Sequence, residues 1–183
     1  MAKNTLYVAY GSNLNVMQMG QRCPDAEVYG VGRIEGYRLV FKALGEYAYA
    51  TIEPCKDEYV PVAVWSISVR DEFRLDRYEG YPTHYTKQTI EVILSDGSII
   101  EGMVYIMNTN AVSKVPTRSY FDCVLIGYGN FELDVQKLYQ AWLLADGGSD
   151  RGSSTLKYYR ERRGLTQAQL AKRAKVGLGS IQK

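Results

Sequence analysis

The chain has only one histidine, His84, in 183 residues. A Ser-His-Asp or Cys-His mechanism therefore requires His84 as its base. Nothing in the sequence pairs it with a nucleophile, and a histidine in the loop after Pro82 reads as incidental. Cysteine is scarce too. Cys23, Cys55 and Cys123 show no metal-ligand spacing, and their odd number argues against a full disulfide framework. Reduced thiols in a cytoplasmic protein are the expectation. No apolar run approaches the ~20 residues that a membrane span requires. Residues Met1 to Thr5 lack the apolar core of a secretory signal.

What is present suits a folded enzyme-sized domain. A hydrophobic content of 46% against 23% charged residues is enough for one well-cored unit with an appendage. The net charge of +2 conceals an asymmetry. Residues 1–150 carry 13 lysines and arginines against 19 acidic residues, whereas residues 151–183 carry nine against one. A mildly acidic body thus bears a strongly basic tail, and such halves meet different partners. There are 16 tyrosines. They suit polar pockets and ordinary strands alike, so their number alone decides nothing.

Thr5 to Tyr10 reads as a short strand running into a Gly-Ser-Asn turn, followed by a short helix from Val16 to Cys23. Tyr37–Lys42, Tyr47–Ile52 and Tyr59–Val69 are rich in β-branched and aromatic residues and read as strands. Val69–Tyr78 reads as a helix with Phe73, Leu75 and Tyr78 on one face and Gly80 beyond its end. Tyr85–Leu94 and Ile99–Met107 flank Ser95-Asp96-Gly97, a strong hairpin signal because Asp-Gly accepts positive φ angles. Helices are expected over 117–126 and 133–145, separated by Gly127-Tyr128-Gly129-Asn130. Strands first and helices last predict an α+β fold, a small mixed β-barrel or sheet packed by helices. The Gly/Ser-rich stretch 146–154 reads as a linker between a domain over 1–145 and a tail over 155–183.

Two segments carry candidate chemistry. At Tyr10-Gly11-Ser12-Asn13-Leu14 a strand turns into a helix, so backbone N–H groups can converge on one anionic or carbonyl oxygen. A plain strand-to-helix turn favours the same residue types. The second is Leu75-Asp76-Arg77-Tyr78-Glu79-Gly80-Tyr81-Pro82. If Glu79 sits in a pocket walled by Tyr78, Tyr81 and Tyr85, its pKa rises toward the range useful for proton transfer. The bland alternative is a Glu in a solvated helix terminus, with Glu72 and Asp76 as neighbours in water. Trp65 and Phe41 read as core.

Taken together, these segments resemble the γ-glutamylcyclotransferase-like superfamily, which includes AIG2-like proteins. The resemblance begins at Tyr7-Val8-Ala9-Tyr10-Gly11-Ser12-Asn13-Leu14 and runs through Met19, Arg22, Pro24 and Gly36-Tyr37-Arg38-Leu39-Val40-Phe41. It continues with Val62-Ala63-Val64-Trp65, the Glu79 segment, Tyr85, Ser119-Tyr120 and Leu138–Leu143, covering roughly residues 5–145. It implies that the loop from Tyr10 to Leu14 holds a γ-glutamyl group, that Glu79 is the acid/base, and that no metal or cofactor is needed. It also implies 5-oxoproline as product, with Tyr85 and Tyr120 either as pocket hydrogen-bond donors or as core tyrosines.

The tail carries a second resemblance. Leu165-Thr166-Gln167 with Leu170-Ala171 resembles the start of a repressor-type helix-turn-helix, Thr166 serving as N-cap and Leu170 and Ala174 facing inward. The pattern stops at Lys183, a few residues into its recognition helix. Sequence-specific DNA binding is not expected of it, only a salt-dependent attraction of the basic segment 155–183 for phosphate. The rival to an enzyme is thus a non-catalytic sensor of a γ-glutamyl-like small molecule with a DNA- or protein-contacting tail.

Overall fold

The computed structural model describes residues 4–108 and 111–147. Beyond residue 147 the expected linker, and all of the helix-turn-helix pattern at 155–183, lie outside the described residues. Five strands, β1 (Thr5–Ala9), β2 (Glu27–Leu44), β3 (Tyr47–Ile67), β4 (Tyr85–Leu94) and β5 (Ile99–Met107), close into a barrel in the order β1-β3-β2-β4-β5. Neighbours are antiparallel except β1 and β5, which close the barrel in parallel at Tyr7 and Met103. Four helices complete the described α+β fold: α1 (Val16–Arg22), α2 (Val69–Glu79), α3 (Arg118–Asn130) and α4 (Val135–Ala145). Among the described residues no helix is long and apolar enough to cross a membrane.

The β4–β5 hairpin has the boundaries that its Asp-Gly turn predicts, with Gly97 at φ 87°. The long strands differ from expectation. Tyr47–Ile52 and the strand expected from Tyr59 belong to one 21-residue strand, which ends at Ile67 rather than Val69, and β2 begins at Glu27, ten residues before the expected start. Pro54 and the polar run after it look like a break in sequence. In the fold they form an irregularity, with Pro54 opposite Tyr37 and a register shift between Glu35 and Tyr37, while Gly36 and Asp57 take positive φ. Bulges of this kind bend a ribbon without ending it. The half nearer 27–35 and 59–67 pairs into the barrel with β4 and β1. The outer half carries Phe41, Ala50 and Ile52 into the core.

Two helix expectations are corrected. In α2 the buried residues are Asp71 and Leu75, whereas Phe73 is 63% and Tyr78 49% exposed, so these aromatics do not share the inner face. Residues two apart on a helix point about 200° apart, which separates Phe73 from Leu75. Helix α3 also runs on through Gly127-Tyr128-Gly129-Asn130. A Cβ on Gly127 would lie 2.5 Å from Leu14 Cβ and 2.7 Å from Asn15 N. That glycine is a packing residue, which lets α3 press against the loop after β1. The core gathers Phe41, Trp65, Leu75, Phe121, Tyr128, Leu138 and Trp142 around the barrel.

Candidate active site

The loop after β1 is a 3-10 turn over Ser12–Leu14, closed by Leu14 N–H donating to the Gly11 carbonyl at 3.0 Å. The first N–H groups of such a turn find no partner within it. Asn15 ends the turn and caps α1, its side chain accepting from the Gln18 N–H at 3.2 Å. The loop is therefore fixed from both sides, by the start of α1 and by Gly127 of α3 beneath Leu14. Ser12 and Asn13 are buried polar residues.

Helix α2 delivers Glu79. Ser68 caps its start, accepting from the Asp71 N–H at 3.1 Å, and Gly80 ends it in the left-handed conformation at φ 65°. A side chain at Gly80 would also strike the His84 ring. Glu79 is thus the last helical residue, and its carboxyl group meets the loop: Asn13 Nδ2 donates to Glu79 Oε1 at 2.9 Å and to Tyr7 Oη at 2.7 Å. The residue keeps some solvent contact, but the carboxyl end lies deep in the protein. Burial pushes its pKa up to about 7, although the Asn13 hydrogen bond and the Arg22 charge pull the other way. The negative end of the helix dipole at this terminus acts in the same upward sense as burial.

These groups surround a cavity of about 30 Å³ lined by Tyr7, Tyr10, Gly11, Ser12, Asn13, Ala50, Glu79, Tyr85, Tyr105 and Tyr120. Every wall is tied in place. Tyr10 donates to the Tyr105 carbonyl at 2.5 Å and Tyr85 to the Ala50 carbonyl at 3.1 Å. The Ala50 N–H donates to Tyr120 Oη at 3.2 Å. Tyr105 donates to Asp76 at 2.6 Å, and Asp76 and Glu72 in turn hold Lys87. Glu72 and Asp76 are therefore members of an ion-paired bracket behind the cavity rather than solvated neighbours of Glu79. Burial first, and the nearby Glu79 charge second or later, raise the phenol pKa of Tyr7, Tyr10, Tyr85 and Tyr120. For Tyr105 burial and Asp76 dominate. The tyrosines are accordingly neutral hydrogen-bonding walls.

Of the residues singled out in the sequence, Tyr10, Gly11, Ser12, Asn13, Glu79, Tyr85 and Tyr120 come together at this cavity. Leu14 does not. It is fully buried in the core beneath the loop. Tyr78 and Tyr81 are 49% and 43% exposed and do not wall the cavity. His84 does not line the cavity; it lies in the turn after α2, its backbone N–H donating to the Gly80 carbonyl at 2.9 Å. Tyr7 and Tyr105 are wall residues that sequence reasoning missed. Tyr7 lies on β1, where Tyr7, Val8 and Ala9 are all buried, so no alternation along the strand marks the face that carries the site. Cysteine chemistry is disfavoured, since burial pushes the Cys23 thiol up to about 12 and raises that of Cys123.

A second recess of about 400 Å³ adjoins the cavity, sharing Ser12 and Tyr120, and is lined by Gln18, Arg22, Tyr47, Tyr49, Tyr78, Ser119 and Cys123 among others. The pair of spaces gives one enclosed carboxyl group among the Gly11–Asn13 loop and phenols, with a wider opening alongside. Such a site can move a proton to and from a guest held by its carbonyl or carboxylate oxygens.

Known proteins share this fold and part of its sequence. The family model described as gamma-glutamyl cyclotransferase, AIG2-like, matches residues 7–122, from β1 into α3. Relatives named gamma-glutamylcyclotransferase, from Homo sapiens and Bos taurus, are each 29% identical over 130 residues, covering 67% of this chain and 69% of theirs. A solved structure named gamma-glutamyl cyclotransferase superposes with a TM-score of 0.70 at 25% identity, over 76% of this chain and 86% of that one. With both its barrel fold and well over half its length accounted for, this chain belongs to the γ-glutamyl cyclotransferase, AIG2-like family of enzymes.

Proposed function

We propose that the protein converts a γ-glutamyl amine or γ-glutamyl amino acid to 5-oxoproline, releasing the amine, with Glu79 as acid/base. The observation that carries this reading is the Glu79 carboxyl group, enclosed by phenols and the Asn13 amide and brought to about 7 by burial. Near neutral pH it is present both as base and as acid.

In this mechanism the ionised Glu79 takes a proton from the substrate's α-ammonium group. The freed amine attacks the γ-carbonyl carbon, forming the ring C–N bond and an oxyanion. The oxyanion collapses as the original amide C–N bond breaks, with the protonated Glu79 giving its proton to the departing nitrogen. The restored carboxylate takes the second proton from the ring nitrogen and passes it to the released amine, which leaves as an ammonium ion beside the neutral lactam. Attacker and target belong to one molecule, so the site need only hold the chain folded back on itself. N–H groups at Gly11, Ser12 and Asn13 are assigned to the oxyanion or to the α-carboxylate. Tyr120, which accepts from the Ala50 N–H, has its own proton free to turn toward the guest. A cavity of about 30 Å³ takes only a few ligand atoms beside Glu79, so the rest of the substrate, with the leaving amine, is assigned to the adjoining recess.

Residues 1–145 are read as the catalytic unit, and the free thiols of Cys23, Cys55 and Cys123 support the cytoplasm as its compartment. The test is incubation with a panel of γ-glutamyl amines and dipeptides, with 5-oxoproline as readout, for wild type and Glu79→Gln. Turnover by wild type and its loss in Glu79→Gln are expected. Binding without turnover of any member would move the assignment to a sensor.

A further inference from the structure

Arg22, the last residue of α1, stands outside the inner cavity but reaches the loop that forms its wall. One terminal nitrogen donates to Ser12 Oγ at 3.1 Å and to Asn13 Oδ1 at 2.5 Å, and the other donates to Gln18 Oε1. The guanidinium lies over the Tyr78 ring, 3.8 Å from its centroid. Side chains from one turn of α1, from the end of α2 and from the loop therefore meet at a single planar cation.

A guanidinium can only donate. The oxygen of the Asn13 amide must face it, and the amide NH2 must face the other way. On that other side stand Tyr7 Oη and Glu79 Oε1. Without this partner the amide is free to turn about its terminal torsion, bringing its oxygen against the carboxylate. We propose that Arg22 is a positioning residue for the cyclisation: by capturing Asn13 Oδ1 it aims Asn13 Nδ2 at Glu79 and holds that carboxyl group against the loop. The inference rests on Glu79 as the acid/base.

The electrostatic setting agrees with the geometry. Glu79 is faced by neutral phenols from several elements, Tyr7 of β1, Tyr10 just after it, Tyr85 of β4, Tyr105 of β5 and Tyr120 of α3. Arg22 supplies positive charge, and with the Asn13 hydrogen bond it holds the carboxyl group below where burial alone would leave it. Removing Arg22 takes away the charge and loosens the hydrogen bond, so both changes raise the pH at which Glu79 ionises.

The experiment compares wild type, Arg22→Gln, Arg22→Lys, Asn13→Ala and the Arg22→Gln/Asn13→Ala double variant, using a γ-glutamyl compound that wild type turns over. Arg22→Gln is expected to lower kcat roughly tenfold or more, as misplacing an acid/base group does, with a smaller change in KM. Its acid limb of kcat/KM should move to higher pH. Arg22→Lys keeps the charge without the planar fork, so it should restore the limb but only part of kcat. In the double variant Arg22→Gln should add less than about a twofold loss to that of Asn13→Ala, because coupled residues are not additive. An unmoved acid limb, or fully additive losses, overturns the inference. If Arg22→Gln does not fold, Arg22→Lys alone and with Asn13→Ala carries the same test through the split between kcat and KM. Glu79→Gln separates the two layers. Full activity there removes the acid/base reading itself, whereas an inactive Glu79→Gln with an unmoved Arg22→Gln limb removes only the role of Arg22.

Discussion

The protein has a large recess and a small one, and their chemistry runs opposite to their size. A groove of about 520 Å³ lies between α4 and the bend of the β2–β3 ribbon, lined by Arg38, Leu39, Tyr59, Lys137, Leu143 and Leu144 among others. The cavity behind Gly11 has about 30 Å³. In the groove each charge has an opposite partner close to water: Lys137 with Glu58, Arg38 with Glu53. Partial burial pushes the Glu53 carboxyl up, yet Lys42 and Arg38 outweigh it and hold the group below its usual range. In the cavity the Glu79 carboxyl is taken deeper, with an amide as its direct partner and the Arg22 charge one residue removed. Burial wins there, and the group is raised. Room for a guest does not perturb a carboxylate. Enclosure without a directly bound counterion does.

Substitutions can break or sharpen this contrast. The largest effect belongs to Glu79→Gln, which should lower kcat by roughly 10²- to 10⁴-fold, the usual share of a positioned acid/base. Substrate binding measured by calorimetry should persist in that variant. Loss of binding with unchanged kcat would place Glu79 in recognition alone.

The next effect is on stability. Glu79 has a folded value of about 7 against an ordinary 4.5. Between those pH values the native state holds a proton that the unfolded state has lost, so stability is fully present below 4.5 and falls as pH rises toward 7. The loss is on the order of 3 kcal/mol, from 1.36 kcal/mol per pH unit across the interval of about 2.5. Glu79→Gln should remove that slope, making the variant more stable than wild type at pH 8 with a gap that narrows toward pH 4. Denaturant melts across pH measure it, and parallel curves for the two proteins would show that the carboxyl group is not enclosed in solution.

Gly127→Ala should cost about 1–3 kcal/mol through overpacking, less a helix-propensity gain of roughly 1 kcal/mol. Because the clash falls on Leu14 and Asn15, kcat/KM should fall along with stability. Stability lost with activity intact would mean that the loop does not depend on α3 for its shape. The smallest effect is expected from Glu58→Gln in the larger groove, on the order of 1 kcal/mol for an ion pair whose carboxylate is 38% exposed, with turnover unchanged. A drop in turnover there would assign the groove a part in the reaction.

How far the sequence could be read depended on whether a signal was local. Asp96-Gly97 defines its hairpin because the turn needs positive φ at Gly97 and a side-chain acceptor at Asp96, properties of those two residues. Gly80 marks the end of α2 for the same kind of reason, since capping is decided within one turn. The strand and helix ends at Tyr10–Asn13 and Glu79 were legible as chemistry. Other features depend on distant partners. Pro54 looks like a strand end until Tyr37 lies opposite it in an irregular ribbon. Gly127 looks like a helix break until Leu14 presses on it. Tyr7 and Tyr105 look like ordinary strand tyrosines until the barrel closes and their rings meet edge to face at 5.8 Å.

The sequence by itself determined the α+β class, the residue types of the loop and carboxylate, and the family resemblance those residues carry. These rest on local backbone preference and on motifs a few residues long. Only the tertiary structure decided that Asn13 stands between Arg22 and Glu79, 66 positions away in sequence, and that this carboxyl group is enclosed. The physical reason is that a pKa reflects the solvent and charges around a group, and barrel closure brings those together from strands and helices far apart along the chain.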